Sequence, residues 1–114
     1  MYEIKAYVRE VMAEHVIDAL ARVKGVASIA VVSLNEFGHL VGNESPLEKV
    51  QMVKLEVDVA TDAVVDEVVD IIVRTSRTRD GHPGDGKVLV SPLVRAVRIE
   101  DGATDQSALQ PTSI

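Results

Sequence analysis

Two stretches of strict alternation limit what this chain can fold into. In Tyr2 to Val8, the residues Tyr2, Ile4, Ala6 and Val8 fall on one side and Glu3, Lys5 and Tyr7 on the other. From Val50 the same period returns, with Val53, Leu55, Val57 and Val59 opposite Met52, Lys54, Glu56 and Asp58. Successive strand residues point to opposite faces, so each stretch predicts a strand with one dry and one wet face.

The segments between and after these strands supply the rest of the plan. Met12, Val16, Ala19, Leu20 and Val23 recur at helical spacing, which predicts a helix over Val11 to Lys24 with Gly25 as its C-terminal cap. Val26 to Leu34, rich in Val and Ile, predicts a second strand buried on both faces or nearly so. Asn35 to Leu47 contains Gly38, Gly42, Asn43, Ser45 and Pro46 and reads as a loop between two strands. Thr61 and Asp62 open a second helix whose apolar stripe is Val64, Val65, Val68, Val69 and Ile72. Asp66, Asp70 and Arg74 lie four apart on its wet side.

A fourth strand is expected at Val88 to Ser91 and a short fifth at Val94 to Ile99, before a flexible polar tail over 103–114. The order βαββαβ is that of an α+β, ferredoxin-like domain over residues 1–102, with a short extra C-terminal strand. Its bare sheet face and open edges predict assembly with further copies.

With 114 residues the chain makes one domain. Aromatic residues are only 3% of it, so the core is aliphatic and the stacking platforms of RNA-binding sheets are excluded. The absence of cysteine excludes disulfides and thiolate chemistry. Early charges at Glu3, Lys5, Arg9 and Glu10 argue against a secretory signal, and the expectation is a soluble cytoplasmic protein.

Function concentrates in Gly81-His82-Pro83-Gly84-Asp85-Gly86-Lys87, which runs into Val88-Leu89-Val90. Glycines feeding a lysine at the mouth of a strand present backbone N–H groups and one cation to a single point, the requirement of an oxyanion. The segment from Arg74 to Arg98 holds six basic residues against two acidic ones, a local +4 in a chain whose net charge is −6. That field suits a small anion, and the acidic remainder argues against nucleic acid. No activated nucleophile is visible, and the acidic pairs Glu14/Asp18 and Asp66/Asp70 fall on solvated helix faces, so no catalytic residue is assigned and the protein reads as a non-enzyme. His15 lies on the polar side of the first helix, and no metal site is assigned.

Phe37-Gly38, Val53-Lys54-Leu55-Glu56-Val57, Gly84-Asp85-Gly86-Lys87-Val88-Leu89-Val90-Ser91-Pro92 and Val97-Arg98-Ile99 together resemble the P-II signalling family, over roughly residues 1–102. The resemblance implies a homotrimer that binds an adenine nucleotide in clefts between subunits. It places Gly84, Asp85, Gly86, Lys87, Gly38, His39, Glu56 and, from the neighbour, Arg98 at that nucleotide. Glu56 would pair with Lys87. The long loop over residues 36–51 would report occupancy to a target, a membrane transporter or an enzyme.

Departures from the family pattern refine this expectation. Glu100 stands where the family has a second arginine and Met52 where it has a lysine, so ADP or AMP is expected before ATP. Leu40 replaces the family glutamine that helps to hold magnesium and 2-oxoglutarate, and a hard cation prefers oxygen ligands. The loop has no tyrosine to modify. Related divergent branches use bicarbonate or a metal ion as second effector, the latter alongside cation efflux. A small phosphate-ester or acylphosphate hydrolase is the rival reading on the same fold.

Overall fold

The computed structural model describes residues 1–111. Strand β1 (Tyr2–Arg9) leads through a 3-10 turn (Glu10–Met12) into helix α1 (Ala13–Leu20). Strands β2 (Ala30–His39) and β3 (Leu47–Val59) form a hairpin, helix α2 (Asp62–Ser76) follows, and strand β4 (Gly86–Pro92) completes a four-stranded sheet. The sheet order is β2-β3-β1-β4 and each neighbouring pair is antiparallel. This is the ferredoxin-like βαββαβ arrangement expected.

The alternation in β1 and β3 works as read except at Met52, expected on the wet face but 2% exposed in the structure. Ile4, Ala6, Val8, Leu55, Val57 and Val59 are fully or almost fully buried against Val16, Leu20, Val68 and Ile72 of the two helices. The opposite sheet face carries charge. Lys5 pairs with Glu3 at 3.3 Å and Lys54 with Glu56 at 2.9 Å.

Several expectations are corrected. Helix α1 ends at Leu20, well short of Lys24, because the chain tightens into three-residue bonds, Val23 N–H to the Leu20 carbonyl at 3.0 Å and Val26 N–H to the Val23 carbonyl at 3.2 Å. Val23 still reaches the core, which kept the helical spacing in the sequence. Gly25 therefore serves this turn, at φ +105°, and does not cap the helix; a Cβ there would stand 3.2 Å from Val64 of α2.

Strand β2 starts at Ala30 and is largely exposed, with Val31 and Val32 about half accessible. It is an edge strand, and its β-branched content reflects fit to a pleated surface without two-sided burial. The loop expected over 35–47, and the longer one over 36–51, are mostly ladder: Glu36 pairs with Val50, Phe37 with Lys49, Gly38 with Glu48 and His39 with Leu47. Only 40–46 is irregular, where Gly42, Asn43, Ser45 and Pro46 cluster. Gly38 does not break the pairing and stays opposite Glu48 in the ladder.

No fifth strand forms among the described residues. Val97 makes one bridge to Thr104, within a tight reversal where the Arg98 N–H meets the Ala103 carbonyl at 2.8 Å. Beyond it Asp105–Leu109 form a 3-10 helix, so the segment expected to be a flexible tail is held down at least to Gln110. Residues 112–114 of that tail lie outside the described residues.

Candidate functional site

The glycine loop is organised by one carboxylate. Asp85 accepts from the Thr78 N–H at 3.0 Å, the Thr78 hydroxyl at 2.6 Å, the His82 N–H at 2.8 Å and Arg9 Nε at 3.2 Å. Partial burial alone would raise its pKa, but the bonds from Thr78, His82 and Arg9 outweigh it and hold the carboxyl at about 2. Arg9 Nη2 also donates to the Pro83 carbonyl at 2.8 Å, so the end of β1 grips the loop at two points.

This grip leaves no room for side chains at two positions. Gly84 has φ +90°, and a Cβ on it would lie 2.8 Å from Arg9 Nη2. Gly86 has φ +118°, and its Cβ would lie 1.7 Å from the Tyr7 carbonyl oxygen. Gly86 is needed for the close approach of backbone to backbone, whereas at Gly84 the positive φ favours glycine and the near neighbour is the end of the Arg9 side chain.

Lys87 follows on β4, opposite Tyr7 in the ladder. Its ammonium stands 5.1 Å from the centre of the Tyr7 ring and 3.3 Å from Glu36 Oε1. Strands β3 and β1 separate β2 from β4, so Glu36 reaches Lys87 only because the β2–β3 hairpin outruns β1 and curls over its end. The last rung between β1 and β3 is Arg9 to Met52, and Leu47 to Gln51 pair with β2 alone.

Under the curl lies a cavity of about 200 Å³, lined by Glu36, Phe37, Gly38, Leu40, Val50, Met52, Gly84, Gly86 and Lys87. Met52 is 2% exposed and with Val50 and Leu40 makes the wall apolar. An apolar slot with one ammonium and a glycine-lined backbone at its rim can take a flat apolar group that carries an anion.

A sequence model of the family described as Nitrogen regulatory protein P-II matches residues 1–103. The nitrogen regulatory protein P-II of Klebsiella oxytoca is 34% identical over 116 aligned positions, covering 96% of this chain and all of that protein. P-II 1 of Escherichia coli K12 matches with the same identity and coverage. The chain belongs to the P-II family. The B. subtilis GlnK–ATP complex superposes with a TM-score of 0.79 at 24% identity, over 94% of each chain, and so has the same fold.

In this P-II protein the expected site residues divide into two groups. Gly38, Gly84, Gly86 and Lys87 meet at the cavity. Asp85 adjoins it but spends its carboxylate on the loop's own bonds. His39 is turned to the hairpin tip, where its ring is hydrogen-bonded to the Ser45 carbonyl.

Within one chain the expected Glu56–Lys87 pair does not form. Glu56 stands opposite Lys5 in the ladder and pairs with Lys54, whose bond lowers the Glu56 pKa, while Lys87 pairs with Glu36. The physical reason is the sheet order, which interposes β1 between Glu56 on β3 and Lys87 on β4. Arg98 lies apart from this cavity within the chain. It forms a two-pronged pair with Asp101, at 3.0 and 2.7 Å, and donates to the Ser107 and Gln110 carbonyls at 3.3 and 2.8 Å. Its hydrogen bonds, followed by that of the Ala103 N–H, hold the Asp101 pKa at about 2.

Arg9, Glu36 and Thr78 are the residues that sequence reasoning missed. Arg9 and Glu36 are single charges at the end of a strand and in a presumed loop, and only the sheet order brings them to the glycine loop. Thr78 carried a faint signal, a hydroxyl residue before a glycine-rich turn that ends in an aspartate.

Proposed function

We propose that this P-II protein is a signal-transduction protein that binds an adenine nucleotide at the glycine loop and reports occupancy through the β2–β3 hairpin. The observation that carries the reading is the meeting of Lys87, Gly84 and Gly86 with the apolar wall of Met52, Val50 and Leu40 in one cavity. The B. subtilis relative in fold was solved as an ATP complex, which supports an adenine nucleotide as the ligand class.

ADP or AMP is the favoured ligand. Among the described residues lining the cavity, Lys87 is the one cation, and Arg98 is held by its own C-terminal segment. Glu100 adds negative charge where the family resemblance leads one to expect an arginine. At about 5 Å and an effective dielectric near 20, exchanging attraction for repulsion of a unit charge shifts the balance by several kcal/mol, which disfavours a third phosphate.

The cavity of about 200 Å³ is smaller than a ligand pocket of roughly 300 Å³ or more, so a neighbouring subunit completes the site in a homotrimer. The bare sheet face, the edges of β2 and β4, and the exposed Val32, Leu89 and Val90 support such an assembly. The protein acts in the cytoplasm on a membrane transporter or an enzyme, with bicarbonate or a metal ion as second effector. None of its described helices is long and apolar enough to cross a membrane itself.

Calorimetric titration with AMP, ADP and ATP, with and without magnesium, tests this reading. ADP or AMP binding more tightly than ATP is the expected result. A protein that binds none of the three overturns it, and turnover of a phosphate ester assigns the site to the hydrolase alternative. Repeating the titration with bicarbonate and 2-oxoglutarate identifies the second effector.

A further inference from the structure

The Glu36–Lys87 pair has a feature that a ligand cradle alone does not require. The one cation on the cavity wall is already engaged by a carboxylate of the same chain, at 3.3 Å. The two groups come from opposite edge strands, and they meet only when the hairpin is curled over the end of β1. Leu40, just past the end of β2, packs toward the glycine loop on the same side, 3.5 Å from where a Cβ on Gly84 would lie. The curled hairpin and the occupied ammonium are therefore one state.

We propose that Glu36 is a built-in competitor for the ligand's anion, so that a nucleotide taking Lys87 expels Glu36 and releases the hairpin from the glycine loop. This rests on the nucleotide reading above and names how occupancy reaches the hairpin. The side chains of Lys87 and Glu36 are 54% and 36% exposed, and a pair so open to water is held weakly. A phosphate carries more charge than a carboxylate and accepts from both the ammonium and the glycine-loop N–H groups, so it wins the exchange. Glu36 itself, left beside the bound anion, is then repelled. The ligand's leverage on the hairpin is the difference between its affinities for the curled and released states.

The experiment combines ADP titration with amide hydrogen exchange of the hairpin, in the wild type, Glu36→Gln, Lys87→Gln and the double variant. Glu36→Gln is expected to bind ADP about three- to tenfold more tightly, because a competitor and a repelling charge are both gone. In the absence of nucleotide its hairpin amides, from Phe37 to Leu47, should exchange as fast as those of ADP-bound wild type. Lys87→Gln should show the same fast exchange while losing ADP affinity, and the double variant should exchange no faster than either single one.

ADP affinity that is unchanged or weaker in Glu36→Gln overturns the proposal, as does hairpin exchange that none of the variants alters. Weaker binding that appears only with magnesium would make Glu36 a ligand of a bridging cation, which also overturns it. If the wild type binds no nucleotide, the functional reading fails, and the nucleotide-free exchange comparison still decides whether the pair holds the hairpin.

Discussion

Arg9 and Asp85, at the end of the first strand and in the glycine loop, meet at 3.2 Å and make the loop part of the sheet. Asp85→Asn removes the charge and leaves one oxygen to accept where two accepted four hydrogen bonds. The expected loss of stability is about 2 kcal/mol, the scale of hydrogen bonds to a partly buried charged group. Urea unfolding measures it, and a loss below about 0.5 kcal/mol would show that the loop holds its shape without Asp85.

The same carboxylate predicts an acid limb. Asp85 and Asp101 both fall from the ordinary 3.8 to about 2 in the folded protein. A depressed folded pKa contributes stability that is present above the unfolded value and is lost as pH falls through the folded one. Stability should therefore decline between about pH 4 and pH 2, and the decline should be shallower in Asp85→Asn. Thermal melts across that window check the slope.

Gly86 and Gly42 both have positive φ, yet they predict different costs. At Gly86 a Cβ would collide with the Tyr7 carbonyl at 1.7 Å, and either strand pairing or the loop must give way. At Gly42, φ +130°, nothing lies within 4 Å. Gly42→Ala should cost about 1 kcal/mol from backbone strain alone, and Gly86→Ala about 3 kcal/mol or more. Equal costs in chemical denaturation would sink the argument from close approach.

Lys87→Ala is expected to weaken ADP binding by about 2 kcal/mol, some thirtyfold, while leaving the unfolding midpoint within experimental reach of the wild type. Its side chain is about half exposed and its contacts, the Glu36 pair and the Tyr7 ring, are both weak, so the fold does not depend on it. Unchanged affinity in calorimetry would place the anion elsewhere.

Arg98→Ala should release the C-terminal segment. It removes the bonds to Asp101, Ser107 and Gln110 together, and limited proteolysis should then cut beyond Gly102 where the wild type resists. Equal resistance in the two proteins would mean that the Val97–Thr104 bridge and the bonds between Ala96 and Asp105 suffice.

Much of the fold was legible because β1, β3 and α2 carry clear periods, and apart from Met52 and Ser76 their buried residues are those the periods named. The errors fall where a local signal had two causes. Val31 and Val32 suggested two-sided burial, but β-branched residues also suit an exposed edge. Gly38 looked like a loop residue and sits in a ladder.

At the candidate site, contributions from contiguous sequence were readable: Gly84, Gly86 and Lys87 come from one motif. Those created by topology were not. Arg9 lies 76 residues from Asp85, and nothing local to either predicts the contact. Glu56 was assigned to Lys87 through family resemblance, and within the chain the order of strands brings Glu36 to Lys87 instead.

The ladder of the β2–β3 hairpin runs without interruption to His39 and Leu47, leaving only 40–46 free of it. Its register repeats every two residues, so a deletion within Glu36 to His39 would exchange the side chains facing the cavity for those facing away. A change of length between Val41 and Pro46 would leave them in place. The tip is thus the natural attachment point for a fluorescent reporter, at Asn43 for example, which would turn movement of the hairpin into an optical signal without altering the chemistry of the pocket.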